Sequence, residues 1–149
     1  PLRPGEKPGR MDVWWRGRGQ NAGFMLALAH LIGKGPGWKG AQLRINTAVN
    51  DEVEREGMDR HLKAFLHNSR LNAEYRIHSL DGAAPLETVR LRSSDAGLVF
   101  LGMRPPAPGE DPESYGAYYG GLIRNTDGLP LTAMVLANET VDFQSIFSG

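Results

Sequence analysis

Short apolar runs alternate with longer helical patterns along this chain, and this alternation most limits the folds it can adopt. Continuous apolar runs of this length are typical of strands buried on both faces, as in parallel sheets. The helical segments between them are long enough for right-handed crossovers. The pattern predicts an α/β fold with three layers, a mostly parallel sheet with helices on both faces. The predicted strands are residues 11–15, 43–49, 74–80, 97–103, 131–137 and 141–147.

Capping residues mark the predicted helices. Asn21 is a plausible N-cap for an apolar, deeply buried helix that extends to about Ile32. Asp51 and Glu54 suit the start of a second helix over residues 51–68. Asp111 with Pro112 predicts the start of a third. Residues 85–91 fit neither period and stay undecided, and the closing segment 141–147 is predicted to form an antiparallel edge hairpin with the strand before it.

Composition limits the function classes. The 149 residues suit one domain over 11–149, preceded by a Pro- and Gly-rich linker or arm over 1–10. The formal net charge of 0 gives no global field that would draw nucleic acid, so no nucleic-acid partner is expected. The chain has no cysteine, hence no disulfide and no thiolate chemistry. The longest apolar run, residues 22–32, is shorter than the roughly 20 residues of a membrane span, so no membrane insertion is expected.

A glycine-bearing turn between the first strand and the first helix is the candidate binding site. Gly17, Arg18, Gly19 and Gly23 lie where a phosphate loop would lie, with Arg16 adding charge. The glycine spacing departs from the dinucleotide-binding motif by one residue. Two interpretations remain open, an anion or nucleotide site and a tight strand-to-helix connection.

Catalytic and metal chemistry find no support in the sequence. His61 and His67 are six residues apart and share no helix face, His30 suits a buried helix, and His78 has no obvious partner. No nucleophile elbow or triad pattern is present. We therefore expect no enzyme activity, no metal and no cofactor.

Two glycines in one helix suit packing instead. Gly116 and Gly120 are four residues apart, and glycine within a helix costs about 1 kcal/mol relative to alanine. This spacing suggests close packing, either against the chain's own sheet or across an interface.

One segment resembles a known family. Met11-Asp12-Val13-Trp14-Trp15, a glycine turn, an apolar helix, then Trp38 and the strand beginning at Leu43 resemble the cytoplasmic C-terminal region of the cation–chloride cotransporters. Later apolar strands, the proline-rich exit and the tyrosine-bearing helix follow in the same order, so the resemblance runs from Met11 to Ser148. The D-V-W-W element is its most specific part.

In that family the cytoplasmic region has two related halves whose fold is similar to that of universal stress proteins, and the resemblance implies that this chain is the second half. It implies a regulatory and dimerisation domain on the cytoplasmic side of the cell membrane, soluble as this fragment. The implied partners are a transmembrane portion of the same polypeptide and a second copy of the domain. The alternative is a nucleotide- or anion-sensing domain. The stretch Gly102-Met103-Arg104-Pro105-Pro106 lacks the glycine motif that ATP-binding stress proteins carry there, which argues against ATP in that mode.

Overall fold

Five strands and four helices alternate along the part of the chain that the structure describes. The computed structural model describes residues 9–16 and 20–137. In chain order the elements are β1 (Met11–Trp14), α1 (Gln20–Lys34), β2 (Leu43–Val49), α2 (Glu52–Asn68), β3 (Glu74–Ser79), α3 (Pro85–Arg92), β4 (Leu98–Gly102), α4 (Pro112–Asn125) and β5 (Thr132–Val135).

The five strands form one parallel sheet in the order β3-β2-β1-β4-β5. Helices connect successive strands, as parallel pairing requires. The predicted mostly parallel α/β fold is therefore confirmed, and β3 lies at one edge of the sheet. The predicted final strand over 141–147, with its antiparallel hairpin, lies outside the described residues. The predicted division into an arm over 1–10 and a domain over 11–149 stays a prediction.

Alternate residues of the strands supply two apolar clusters, one on each face of the sheet. On one face, Val13, Ile45 and Phe100 pack with Leu26 of α1 and Leu62 of α2. On the other face, residues of β1 and β4 pack with Val89 of α3; these are Trp14, Val99 and Leu101. The sheet therefore carries a core on each side, which makes the three layers.

Helix α1 is buried along most of its length, as its composition predicts. Met25, Leu26 and Ala29 are at most 1% exposed, whereas Leu31 is 64% exposed. The expectation of an apolar surface buried nearly all round is thus correct for the middle of the helix and wrong for its last turn.

The predicted caps of α2 and α4 are confirmed. The Asp51 side chain accepts from the Glu54 backbone N–H at 2.8 Å, and the Asp111 side chain accepts from that of Ser114 at 3.0 Å. The Glu54 carboxylate accepts in return from the backbone N–H of Asn50, one residue before the cap.

The undecided segment 85–91 is a helix, α3. Pro85 starts it, which suits the first helical position. Its N-cap, Ala84, offers no side-chain bond, and Leu91 is 69% exposed. The sequence pattern failed here because only a few residues of this short helix face the core.

Strand β1 carries a buried carboxylate that ties several elements together. Asp12 is fully buried and accepts from Arg10 Nε at 2.7 Å, from Arg44 Nη2 at 2.9 Å and from Ser93 Oγ at 2.6 Å. The Trp14 indole Nε1 in turn donates to Ser93 Oγ at 2.9 Å. β1, β2 and the segment before β4 are thus joined through one side chain.

Removing this charge should destabilise the domain strongly. We expect Asp12→Asn to lower the free energy of unfolding by about 3 kcal/mol, because Arg10 and Arg44 lose their buried counter-charge. Asp95→Asn is the matched control: it also pairs with Arg10, but its side chain is 74% exposed, so the loss should be about 1 kcal/mol or less. Urea unfolding measures both, and equal losses would contradict the special role of Asp12.

Candidate functional site

A crevice opens where the chain order of the sheet reverses. From β1 the chain passes to β2 on one side and later returns to β4 on the other, so the connections leave a gap at the carboxyl ends of β1 and β4. A cavity of about 930 Å³ lies at this edge, between the strand ends and helices α2, α3 and α4. Cavities of roughly 300–1,000 Å³ are typical of small-ligand sites.

Of the side chains that the structure describes, three aromatic ones line the crevice: Trp14, Trp15 and Tyr118. The Trp14 ring stacks on His78 with centroids 5.4 Å apart, and its Nε1 is bound to Ser93. The Trp15 ring meets the edges of Phe65 at 5.2 Å and of His61 at 5.5 Å. Trp14 belongs to the core cluster on one face of the sheet and Trp15 to the cluster on the other; both are more than nine-tenths buried and form a fixed floor across the end of β1.

Neutral polar groups lie around this aromatic floor. Thr47, Asn50 and Asn125 line the crevice with hydroxyl and amide groups. Glu54 also lines it, but its carboxylate accepts from both the backbone and the side-chain N–H groups of Asn50, at 2.7 and 3.2 Å. Glu54 therefore serves the start of α2 and is not free to act as a general base.

Arg16 is the cation that lines the crevice among the described residues. It is exposed and directly follows the two tryptophans at the end of β1. The electrostatics of the described lining therefore suit a ligand that carries few negative charges.

The predicted glycine site is described only in part. Gly17, Arg18 and Gly19 lie outside the described residues, while Gly23 is buried within α1 and does not line the crevice. Arg16, directly before this turn, does line it. The predicted site residues are therefore not shown together, and the glycine turn stays a prediction.

The prediction that Asn21 caps α1 is wrong. Helix α1 begins at Gln20, and Asn21 lies inside it. Its Nδ2 donates to the Met103 carbonyl at 2.6 Å, and its Oδ1 accepts from the Ala137 backbone N–H at 2.6 Å. Asn21 thus joins the start of α1 to the segments that follow β4 and β5. A Cβ at Gly102 would lie 3.1 Å from Asn21 Nδ2, so this close approach favours glycine there.

The loop after β4 is closed by an arginine clamp. Arg104 binds Glu110 through both terminal nitrogens, at 2.7 and 2.8 Å, and its guanidinium lies 4.3 Å from the centroid of the Tyr118 ring. The Tyr115 hydroxyl donates to the Arg104 carbonyl at 3.0 Å. Hydrogen bonds from Arg104 and from the Ala107 backbone lower the pKa of Glu110 to about 2. Arg104 is therefore occupied by its own loop.

His78 has partners that the sequence did not reveal. Its Nε2 lies 3.0 Å from the buried Asn46 Oδ1, and its ring packs on Trp14. Burial first, and then the charges of Arg92 and Arg44, lower the pKa of His78 to about 4. The contact arises from strand register, because His78 of β3 lies beside Ala48, two residues from Asn46.

Within residues 9–16 and 20–137 no group of three or more His, Asp or Glu side chains could hold a metal ion. No helix in the same part of the chain is both long and apolar enough to cross a membrane.

Comparison with known proteins agrees on the fold. No protein-family model matches the chain, and no curated protein matches it in sequence. The crystal structure of a universal stress protein in complex with cAMP matches with a TM-score of 0.51 at 17% sequence identity, covering 89% of this chain and 99% of that one. The likeness establishes the fold. The expected similarity to the universal stress protein fold is confirmed, and at this identity it shows nothing further.

The low pKa of His78 predicts a pH dependence. A folded-state pKa of about 4, below the ordinary histidine pKa of 6.5, means that the unfolded chain binds a proton more readily. The neutral His78 therefore contributes stability above about pH 6.5, and this contribution is lost as the pH falls towards 4. His78→Gln keeps a donor for Asn46 and should remove this dependence.

We expect the wild type to lose about 1 kcal/mol more than His78→Gln between pH 7.5 and pH 5, a value reduced because His78 is only half buried. Urea unfolding at both pH values measures it. His67→Gln, at an exposed position of α2, controls for the loss of a histidine. Parallel losses in the wild type and His78→Gln would show that His78 is not the responsible group.

Proposed function

We propose that this chain is a sensory domain that binds a nucleotide-like ligand in the crevice at the carboxyl edge of the sheet. The observation that carries the proposal is the cavity of about 930 Å³ at the reversal of strand order, with a floor made by two fixed indoles. Ligands of open α/β sheets bind at this place in the fold. The role is one of binding and not of catalysis.

The lining supports a planar ligand with few charges. Aromatic and aliphatic walls suit a base, because flat rings exclude water from both surfaces. Thr47, Asn50 and Asn125 offer hydrogen bonds to a base or a sugar. Arg16 would hold a single phosphate, whereas Arg104 is occupied by Glu110. We therefore expect a monophosphate or a cyclic nucleotide to bind better than a triphosphate.

The structural neighbour supports the same ligand class. That protein is a universal stress protein in complex with cAMP, a nucleotide with one negative charge. The absence of a glycine motif at Gly102-Met103-Arg104-Pro105-Pro106 is consistent with this preference, since a triphosphate needs more backbone donors than this proline-rich stretch offers.

Calorimetric titration with cAMP, AMP, ATP and adenosine tests the proposal. We expect cAMP or AMP to bind more tightly than ATP. Ala117→Trp places an indole on the crevice wall and should abolish binding, whereas Ala64→Trp makes the same change at an exposed position of α2 and should not. Arg16→Glu should weaken binding of the phosphate-bearing ligands by about tenfold and leave adenosine nearly unchanged. If none of the four ligands binds the wild type, the proposal is wrong.

A second proposal rests on the sequence resemblance. We propose that the domain belongs to a membrane transporter resembling the cation–chloride cotransporters, with the transmembrane portion of the same polypeptide and a second copy of the domain as partners. Residues of the D-V-W-W element support a link to sensing, because Asp12 anchors β1 and the two tryptophans form the crevice floor. A ligand with different affinity for two states of such a transporter would shift its conformational equilibrium.

Fractionation of native cells with an antibody against this chain tests the second proposal. The proposal predicts a band in the alkali-resistant membrane pellet, far larger than 16.3 kDa. A band near 16.3 kDa in the soluble fraction would overturn it and leave the ligand-binding proposal standing.

A further inference from the structure

Helix α4 has two different faces and no buried residue. One face lines the crevice through Ala117, Tyr118, Gly121 and Leu122. The opposite face carries residues spaced by three and four positions, which places them together. Its two large side chains, Tyr119 and Ile123, are 44% and 45% exposed. This outward face consists of Gly116, Tyr119, Gly120 and Ile123.

No described part of the chain packs on the glycines of this face. A Cβ at Gly116 would have nothing within 4 Å, and one at Gly120 would first meet the mobile end of the Arg124 side chain at 3.3 Å. The expectation that these glycines pack against the chain's own sheet is therefore wrong for the described residues. Each still costs about 1 kcal/mol of helix stability relative to alanine. The other interpretation, packing across an interface, remains.

The charges beside the outward face suit a second copy of the same helix. Glu113 lies in the first turn and Arg124 in the last, and neither has an ion-pair partner among the residues of 9–16 and 20–137. Both lie on the same flank, since eleven residues make about three turns of helix, or about 16 Å. In an antiparallel pair with its two-fold axis between positions 118 and 119, each Glu113 meets the Arg124 of the second copy. A parallel pair would place each Glu113 level with the other Glu113 and on the opposite flank, so no Glu113–Arg124 pairing could form.

We propose that the outward face of α4 is a self-association surface, where two copies of this chain meet as antiparallel helices. Gly116 and Gly120 lie near the two-fold axis, where the backbones approach most closely, and Tyr119 and Ile123 supply the apolar contact. A single pair of short helices buries less than the roughly 1,200 Å² of a standard interface, so the dimer is weak and reversible. The proposal does not depend on ligand binding in the crevice.

Sedimentation equilibrium of the full chain, from micromolar to millimolar concentration, tests the charge pairing. We expect a reversible monomer–dimer equilibrium in the wild type. Glu113→Arg or Arg124→Glu alone should raise the dissociation constant by about tenfold, and the double reversal should restore it. Restoration separates pairing across the interface from a general effect of charge on α4. A chain that stays monomeric, or single reversals that leave the dimer unchanged, would overturn the proposal.

Two alanine variants test the close approach of the helices. Gly116→Ala should raise the melting temperature, because alanine favours the helix, and yet weaken dimerisation at least about fivefold. Gly57→Ala is the matched control, since Gly57 also lies within a helix with nothing within 4 Å of its Cβ position. It should raise the melting temperature and leave dimerisation unchanged. Equal effects of the two variants on dimerisation would contradict an α4 interface.

Discussion

The buried carboxylate of Asp12 is the interaction on which the rest of the structure depends. A charge with no exposed surface is tolerated only when it is paired and fully hydrogen-bonded, and Arg10, Arg44 and Ser93 meet that requirement. Because Ser93 also accepts from the Trp14 indole, the same network fixes the orientation of a ring on the crevice floor. A constraint at the amino end of β1 is thus transmitted along one strand face to its carboxyl end. The crevice is rigid where the ligand would stack.

The opposite wall of the crevice has a different origin. Two arginines contact helix α4: the Arg104 guanidinium lies on the rings of Tyr115 and Tyr118, in the first half of the helix, and Arg90 donates to the Asn125 carbonyl at 2.8 Å at its end. No residue of α4 is buried, so its inward face stands away from the sheet. These contacts hold α4 beside the cavity, and no residue of the helix is part of the buried core. The cavity therefore combines a buried aromatic floor with a wall whose residues are partly exposed.

Features that depend on local order could be predicted from the sequence, and those that depend on strand register could not. Apolar runs revealed the strands, and Asp51 and Asp111 revealed two helix starts, because a cap bonds within its own turn. The partners of Asn21 lie 82 and 116 residues away, so its propensity for a cap was misleading. The His78–Asn46 contact spans 32 residues and follows from register alone. Of the candidate site, the sequence indicated only Arg16, which lies beside the glycine turn. The other described lining residues come from elements far apart in the sequence, so their proximity could not be predicted.

The ligand-binding proposal and the self-association proposal both involve helix α4. A ligand in the crevice would contact the inward face of the helix whose outward face is proposed to meet a second copy. Because a helix moves as a rigid element, a ligand that displaced α4 would move both of its faces together. Linkage then requires reciprocity: a ligand that favours dimerisation must itself bind the dimer more tightly, by the same factor. A weak dimer suits this coupling, because an equilibrium close to balance responds most to a small difference in affinity. In a protein that brings two copies together by other means, the high local concentration would populate the α4 pair, and the ligand would then act on its geometry.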